Sequence, residues 1–195
     1  MIERTLIVMV KEPRPGRVKT RLGREIGMTA SAWWFRHQTR RLLRGLEDPR
    51  WQIVLAVSPD RDGLYSRVWP EHLPRLPQGS GDLGVRMARL LGSVPRGPAC
   101  LIGADIPEVG PAHIAQAFRL LGDHDAVFGP APDGGYWLVG LKHPRRQPRG
   151  FFSNVRWSTE HALADSIATW PNYRIALATT LRDVDTADDL TMTRP

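Results

Sequence analysis

A short apolar run that leads into a basic, turn-rich loop constrains the fold of this chain more than any other feature. Residues 6–10 are apolar throughout and bounded by polar residues, which is typical of a strand buried on both faces. The next segment, residues 11–22, carries the cations Lys11, Arg14, Arg17, Lys19 and Arg21. Pro13 and Pro15 keep this loop out of the helical region, and Gly16 lets a ligand approach the backbone closely. Because ligands of open α/β sheets bind outside the carboxyl ends of the strands, this loop predicts a phosphate site.

A solvated basic surface loop is the alternative interpretation, and we rank it second because the prolines and the charge lie directly at the mouth of a buried strand. The Gly-Lys-Ser/Thr sequence of a Walker A loop is absent. A net charge of +7 suits a polyanionic small molecule, nucleic acid or an anionic surface, and charge alone does not separate these.

Length and segment order predict an α/β protein with a single domain over residues 1–195, because strand-like and helix-like segments alternate. Cys100 is the only cysteine, which excludes an internal disulfide, and its apolar surroundings favour core packing. No apolar stretch approaches the roughly 20 residues of a membrane span, and the N-terminus does not resemble a secretory signal. We therefore expect a cytoplasmic protein with no membrane partner, for which a homodimer is compatible with the sequence.

Aspartates after predicted strands are the candidate metal ligands. Asp105 follows the apolar run 99–102 and would face the same crevice as the basic loop, where Mg²⁺ binds between carboxylates and substrate phosphates. Capping of the following turn is an equally good interpretation of Asp105. Thr186 and Asp189 predict a capping box at a helix start. Asp183 and Asp185 lie before that start in an extended segment, so capping does not account for them. A metal ion shared with Asp105 would account for Asp185, and Asp183 needs an explanation of the same kind. The six histidines show no metal-ligand spacing, so zinc is not expected.

Two glycine-containing loops complete the candidate site. Residues 78–84 either let a base or sugar lie on the backbone or form a connection capped by Asp82. Residues 133–135 have the sequence Asp-Gly-Gly between two apolar runs, which predicts a hairpin or, functionally, space for an acceptor. We also expect helices from about Met28 to Glu47 and after a Ser158 cap, while residues 64–77 remain unassigned.

Motifs spread over nearly the whole chain carry a resemblance to a known family. They are Lys11-x-Pro13-x-Pro15-Gly16-x-Val18-Lys19-Thr20-Arg21-Leu22, Gln78-x-x-Gly81-Asp82-Leu83-Gly84-x-Arg86-Met87, Ile102-Gly103-Ala104-Asp105-x-Pro107, Gly129-Pro130-Ala131-x-Asp133-Gly134-Gly135-Tyr136-Trp137-Leu138-x-Gly140-Leu141, Val155-x-Trp157-Ser158 and Asp183-x-Asp185-Thr186-x-x-Asp189-Leu190. Together they resemble the GT-A-type glycosyltransferase family of unknown function DUF2064, often labelled a radical-SAM- or selenium-associated transferase. More remotely, the chain is similar to the phospholactate guanylyltransferases of coenzyme F420 synthesis and the molybdenum-cofactor nucleotidyltransferases. Ala104 departs from the serine or threonine of many relatives.

The resemblance implies the nucleotide-diphospho-sugar transferase (GT-A, Rossmann-like) fold, a single-domain three-layer α/β/α structure with a mainly parallel twisted sheet. The predicted nucleotide-binding residues are Lys11, Pro15, Gly16, Lys19, Thr20, Arg21, Gln78, Gly81, Asp82 and Gly84. The predicted catalytic residues are Lys19, Arg21 and Asp105, and the metal ligands are Asp105 and Asp185, for Mg²⁺ or alternatively Mn²⁺. The predicted acceptor-binding residues are Asp133, Gly134, Gly135, Tyr136, Trp137 and Trp157.

Three functions follow, in order of preference. The first is a Mg²⁺-dependent nucleotidyltransferase that joins an NTP to a phosphorylated small-molecule acceptor and releases pyrophosphate, chemistry that needs positioning and charge neutralisation rather than a protein nucleophile. The second is a glycosyltransferase that uses a nucleotide-sugar donor, with Asp133 or another acceptor-side carboxylate as base. The third is a catalytically degenerate nucleic-acid-binding protein, which ranks last because both the basic loop and the aspartates are present.

Overall fold

A computed structural model describes residues 3–192 of the chain. The strands are β1 (Thr5–Lys11), β2 (Gln52–Ser58), β3 (Arg75–Pro77), β4 (Ala99–Ile102), β5 (Ala126–Pro130), β6 (Tyr136–Leu141) and β7 (Ile175–Leu177). The helices are α1 (Thr20–Ile26), α2 (Met28–Gly45), α3 (Asp60–Leu64), α4 (Leu83–Ser93), α5 (Pro111–Asp123), α6 (Ala162–Ala168) and α7 (Ala187–Met192).

The strands in this part of the chain form one mixed, mostly parallel sheet with the order β3-β2-β1-β4-β6-β5-β7. β1 pairs in parallel with both β2 and β4, and the β2–β3 and β5–β7 pairs are also parallel. β6 is antiparallel to β4 and β5, and it forms the expected hairpin with β5. The predicted α/β architecture with a mainly parallel sheet is confirmed.

Helices cover both faces of the sheet, because successive side chains of a strand point to opposite sides. Leu6, Val8 and Val10 of β1 pack with side chains from α2 and α5. Ile7 packs on the other face with side chains from α4 and α6. The three layers expected from the sequence are therefore present, and Cys100 is a buried core residue as predicted.

Two local predictions differ from the structure. The segment after Lys19, expected to continue as a loop, forms α1, and Gly27 then separates α1 from α2. Ser158 does not cap a helix: its φ of 60° places it in a loop, and α6 begins at Ala162. No helix among residues 3–192 is long and apolar enough to cross a membrane.

The strand order places a ligand crevice between β1 and β4. From β1 the chain proceeds outward through β2 and β3, and β4 then returns to the opposite side of β1. The loops that follow β1 and β4 therefore diverge and open a crevice at the carboxyl ends of these strands, which is where open α/β sheets bind ligands. The basic loop and Asp105 are the segments that emerge there.

Candidate active site

Lys19 lies at the centre of the crevice, at the N-terminal end of α1. Its backbone is in the left-handed region (φ 44°, ψ 50°). Its Nζ lies 2.7 Å from Oδ2 of Asp105 and 2.8 Å from Oδ1 of Asp185, and only 7% of the side chain is exposed. Burial lowers the pKa of Lys19, but the charge of Asp105 and the hydrogen bonds to both aspartates outweigh it, so the pKa lies above its ordinary value. Lys19 is thus held as a cation between two carboxylates.

Asp105, Asp183 and Asp185 form an acidic triad. Their carboxylate oxygens lie within 4.8 Å of one another, and all three residues are partly buried. A backbone hydrogen bond of 3.1 Å from Val184 N to the carbonyl of Asp105 fixes the two segments side by side. Three carboxylates fit a hard divalent cation such as Mg²⁺ or Mn²⁺, which takes oxygen ligands. The structure therefore brings Asp105 and Asp185 together and adds Asp183.

The surroundings of Asp183 favour its protonated form. Burial, followed by the charges of Asp105 and Asp185 among its neighbours, raises the pKa of Asp183 to about 6. Lys19 opposes this shift but does not cancel it. A bound cation would reverse the balance, because it favours the ionised carboxylate.

The helix start beyond Asp185 holds that residue in place. Oδ2 of Asp189 accepts hydrogen bonds from the backbone N–H groups of Asp185, at 3.0 Å, and Thr186, at 2.8 Å. The amide of Asp189 lies 3.5 Å from the hydroxyl of Thr186. The predicted capping box is confirmed, and it fixes the backbone from which the Asp185 side chain reaches Lys19.

A basic cleft of about 590 Å³ opens on one side of Asp105. The cations that line it are Lys11, Arg17, Lys19, Arg21 and Arg86. Arg21 also contacts Oδ2 of Asp185 at 3.2 Å. Arg14 points elsewhere and pairs with Asp62 at 3.0 Å. Four of the five loop cations predicted to face a phosphate chain therefore line one cavity, together with Thr20.

Gln78 is a buried wall of the basic cleft rather than a free polar group. Its Nε2 donates to the carbonyls of Val10, at 3.2 Å, and Ala56, at 2.8 Å, near the ends of β1 and β2. Its Oε1 accepts from Arg86 at 3.1 Å. Gln78 thus joins the ends of β1 and β2 and orients Arg86 in the cleft. Its contact with a nucleotide stays a prediction.

A second cavity, of about 260 Å³, lies on the other side of Asp105, and we call it the aromatic pocket. Tyr136, Trp137 and Trp157 contribute to its lining. Met9, Leu83, Gly103, Asp105 and Ser158 line both cavities. Asp185 lines only the basic cleft and Asp183 only the aromatic pocket, so the acidic triad spans the junction.

The predicted acceptor residues cluster around the aromatic pocket with one exception. Asp133 and Gly135 line it, and Asp133 Oδ1 accepts from the Gly135 amide at 2.9 Å. The Trp137 indole N–H donates to the Thr179 carbonyl at 2.9 Å, so this side chain is anchored in the core. Gly134 lies outside the lining and packs against the backbone of Glu160.

Five of the predicted nucleotide-binding residues do not line the basic cleft. They are Pro15, Gly16, Gly81, Asp82 and Gly84. Pro15 and Gly16 are exposed in the loop. Asp82 caps α4 by accepting from Val85 N at 2.8 Å, as the alternative interpretation held. A Cβ at Gly84 would approach Phe152 and Trp157 within 2.7 Å, and Gly81 has φ of 109°. Their contact with a nucleotide stays a prediction.

Asp183 was not among the predicted metal ligands, and Arg86 was not among the cations predicted for the phosphate site. Asp183 carried a usable signal, since it alternates with Asp185 before the helix start. Arg86 carried none, because its position depends on how α4 packs beside Gln78.

Comparisons with known proteins agree with this fold. The family model described as "Uncharacterized protein conserved in bacteria (DUF2064)" matches residues 42–159, more than half of the 195-residue chain. No curated protein matches the sequence. A solved structure from Desulfovibrio desulfuricans G20, provisionally described as a nucleotide-diphospho-sugar transferase, shares 27% identity with a TM-score of 0.85 over 95% of this chain and 84% of that one.

Two more distant structures have the same architecture. Rv0371c from Mycobacterium tuberculosis H37Rv, crystallised in complex with manganese, shares 14% identity with a TM-score of 0.56 over 98% of this chain and 97% of its own. The 2-C-methyl-D-erythritol 4-phosphate cytidylyltransferase of Thermus thermophilus also shares 14% identity, with a TM-score of 0.54 over 98% and 96%. At such identities these two structures show the shared fold alone.

Proposed function

Because the chain belongs to the family of uncharacterized bacterial proteins DUF2064, whose fold is that of nucleotide-diphospho-sugar transferases, we propose that it is a divalent-metal-dependent transferase that acts on a nucleotide. The proposed reaction is nucleotidyl transfer: an acceptor oxygen forms a bond to the α-phosphorus of an NTP, and the bond to the leaving pyrophosphate breaks. Among the relatives, the cytidylyltransferase of Thermus thermophilus is by name an enzyme of this reaction type.

The observation that carries the proposal is the acidic triad at the junction of two cavities of opposite character. The basic cleft offers Lys11, Arg17 and Arg21 to a phosphate chain, and the aromatic pocket offers space to an acceptor. Asp105 lines both cavities, so a group transferred between two bound substrates would pass beside it. Transfer of a phosphoryl-type group requires mainly that the protein position the two substrates and neutralise the phosphate charge.

The residues of the cleft have distinct roles in this proposal. Asp105, Asp183 and Asp185 would hold the metal ion, which when bound supplies neutralisation of phosphate charge. Arg17 and Arg21 neutralise the outer phosphates, where pyrophosphate leaves. Lys19, fixed by Asp105 and Asp185, keeps the triad from repelling the nucleotide and stabilises the negative charge that develops on the leaving group.

Glycosyl transfer from a nucleotide sugar is the second candidate, and one observation favours it. The aromatic pocket contains Asp133 and Asp183, two carboxylates on the acceptor side that would accept a proton from a sugar hydroxyl. The products separate the two reactions, since nucleotidyl transfer releases pyrophosphate and glycosyl transfer releases a nucleoside diphosphate.

The first experiment is a thermal-shift comparison of NTPs, NDPs and nucleotide sugars, each with and without Mg²⁺ or Mn²⁺. Binding to the native state alone raises its stability, so we expect a metal-dependent rise in melting temperature with one NTP. Asp105→Asn should remove the metal-dependent part of the shift. Asp62→Asn is the matched control, because Asp62 pairs with Arg14 outside the cleft.

Either of two results would overturn the proposal. One is the absence of a shift with every nucleotide tested. The other is a metal-dependent shift that Asp105→Asn leaves unchanged. A larger shift with a nucleotide sugar, together with release of a nucleoside diphosphate, would replace nucleotidyl transfer with glycosyl transfer.

A further inference from the structure

We propose that the acceptor held in the aromatic pocket is a hydroxyl compound that carries no anionic group. This inference rests on the proposed transferase function and narrows it, since the sequence motifs led us to expect a phosphorylated acceptor. It concerns the pocket on the acceptor side of Asp105 and is independent of whether a nucleotidyl or a glycosyl group is transferred.

The charges around the aromatic pocket are of one sign. Asp105, Asp133 and Asp183 line it, and the lining residues in the described part of the chain include no lysine, arginine or histidine. The basic cleft, in contrast, has five lining cations. A phosphate on the acceptor would therefore face carboxylates without a partner, and juxtaposed like charges exclude a ligand.

Cations close to the pocket are engaged with carboxylates. Lys19 contacts Asp105 and Asp185 and lines the basic cleft rather than the aromatic pocket. Arg156, one residue before Trp157, pairs with Asp165 at 2.8 Å. A divalent cation on the triad would offset negative charge of Asp105 and Asp183, but Asp133 lines the same pocket and is not a member of the triad.

The walls of the pocket suit the apolar face of a small alcohol or sugar. The rings of Tyr136 and Trp157 are 6.5 Å apart between centroids at an interplanar angle of 63°. The Tyr136 hydroxyl accepts a hydrogen bond from Ser166 at 3.1 Å, so the ring rather than the hydroxyl is offered to a ligand. Met87 and Val139 add apolar surface. Hydroxyl groups of the ligand would donate to Asp133 and Asp183, the arrangement of an apolar pocket with a few placed polar groups.

The test is a titration of protein labelled with 5-fluorotryptophan, which gives a ¹⁹F signal for each of the seven tryptophans. The Trp157 signal is assigned by its loss in Trp157→Phe, and it reports on the aromatic pocket without interference from the basic cleft. The probes are D-glucose with D-glucose 6-phosphate, and glycerol with glycerol 3-phosphate, in the presence of Mg²⁺. We expect the neutral member of at least one pair to shift the Trp157 signal at about 10-fold or lower concentration than its phosphate, as like-charge exclusion predicts.

A charge-gain variant sharpens the test. Ala131 lines the pocket, and its hydrogen bonds involve only the backbone, so its side chain can be replaced without removing a hydrogen bond. Ala131→Lys adds a cation to the pocket and should reduce the discrimination against the phosphates several-fold. Ala131→Met, which adds a side chain of similar length without charge, should leave the discrimination unchanged. Preferential binding of the phosphates to the wild-type protein, or no response to any neutral probe, would overturn the inference. Metal-dependent stabilisation by nucleotides is measured separately, so failure of the acceptor inference is distinguishable from failure of the proposed function.

Discussion

Asp183 is a residue whose charge depends on pH near neutrality, because burial and neighbouring carboxylates raise its pKa to about 6. The folded state therefore binds a proton more tightly than the unfolded chain, whose carboxyl has a pKa near 3.8. The stabilisation from protonated Asp183 is present below about pH 4 and is lost as the pH rises through about 6. In metal-free buffer, Asp183→Asn should raise the free energy of unfolding at pH 8 by about 1 kcal/mol, allowing for solvent screening, and change it less at pH 4.

Urea denaturation of the two proteins at both pH values measures this effect. Asp123→Asn, an exposed position at the end of α5, is the control. An equal change at pH 4 and pH 8 would show that Asp183 is not held in a proton-favouring site.

If the acidic triad binds a metal ion as proposed, Lys19 competes with that ion for the carboxylates of Asp105 and Asp185. Its ammonium already contacts Asp105 and Asp185, so a cation that binds the triad must displace or share it. We expect Lys19→Met to tighten Mn²⁺ binding about tenfold, equivalent to about 1.4 kcal/mol, in calorimetric titrations, and to remove the stabilisation by nucleotide. Lys11→Met removes a cation that lines the cleft but makes no ion pair with the triad in the described part of the chain, so it should change Mn²⁺ affinity much less. Weaker Mn²⁺ binding by Lys19→Met would instead mean that Lys19 organises the triad.

The hairpin of β5 and β6 carries the side of the crevice proposed to bind the acceptor, and Gly134 fixes the tip of this hairpin. Gly134 has φ of 83°, and a Cβ there would lie 2.1 Å from the carbonyl oxygen of Glu160. The Gly134 carbonyl also accepts from Leu163 N at 3.0 Å, which joins the hairpin to α6. We expect Gly134→Ala to lower the free energy of unfolding by about 2 kcal/mol or more, since both the backbone and the close contact resist the methyl group.

Gly122→Ala in α5 is the matched control, because a Cβ at Gly122 meets no atom within 4 Å. Alanine favours a helix over glycine, so this variant should be neutral or more stable by about 0.5–1 kcal/mol. Chemical denaturation of both variants measures these stabilities. Equal stability of Gly134→Ala and the wild-type protein would contradict the close packing of the hairpin tip against the backbone of Glu160.

Elements with a strong local pattern were predictable from the sequence, and those set by neighbours were not. The apolar runs predicted β1 and β4, the Asp-Gly-Gly turn predicted the hairpin, and Thr186 with Asp189 predicted the start of α7. α1 escaped prediction because its residues continue the basic loop and only Gly27 marks its end. Ser158 resembled a helix cap, but the left-handed backbone at this position belongs to a loop that lines both cavities.

At the scale of the whole molecule, the partners within the site were the least predictable feature. Lys19 and Asp185 are 166 residues apart in sequence and meet at 2.8 Å. The sheet order places the loop after β1 beside the loop after β4, and the segment between β7 and α7 is joined to the β4 loop by the hydrogen bond from Val184 N to the carbonyl of Asp105. The sequence predicted that Lys19 neutralises phosphates, and the structure shows that its ammonium also pairs with two carboxylates. Residue type and strand order thus predicted which loops meet at the candidate site, whereas the ion pairs within it required the folded structure.

The uneven distribution of the +7 charge gives a final prediction about nucleotide binding. Arg17 lines the basic cleft, whereas Arg119 is exposed on α5 and lines neither cavity. Arg17→Gln and Arg119→Gln lower the net charge equally, so a difference between them isolates the local field of the cleft. We expect Arg17→Gln to weaken binding of the preferred nucleotide about fivefold, as for one solvent-screened contact with a phosphate, and to reduce its dependence on salt concentration.

Arg119→Gln should leave both quantities close to those of the wild-type protein. Isothermal titrations at two NaCl concentrations measure affinity and salt dependence together. Equal effects of the two substitutions would mean that nucleotides respond to the overall charge rather than to the basic cleft, and the phosphate site would then have to be sought elsewhere on the surface. An effect confined to Arg17→Gln would place the phosphate chain beside the loop that follows β1, because there a single charge can act on the ligand at close range.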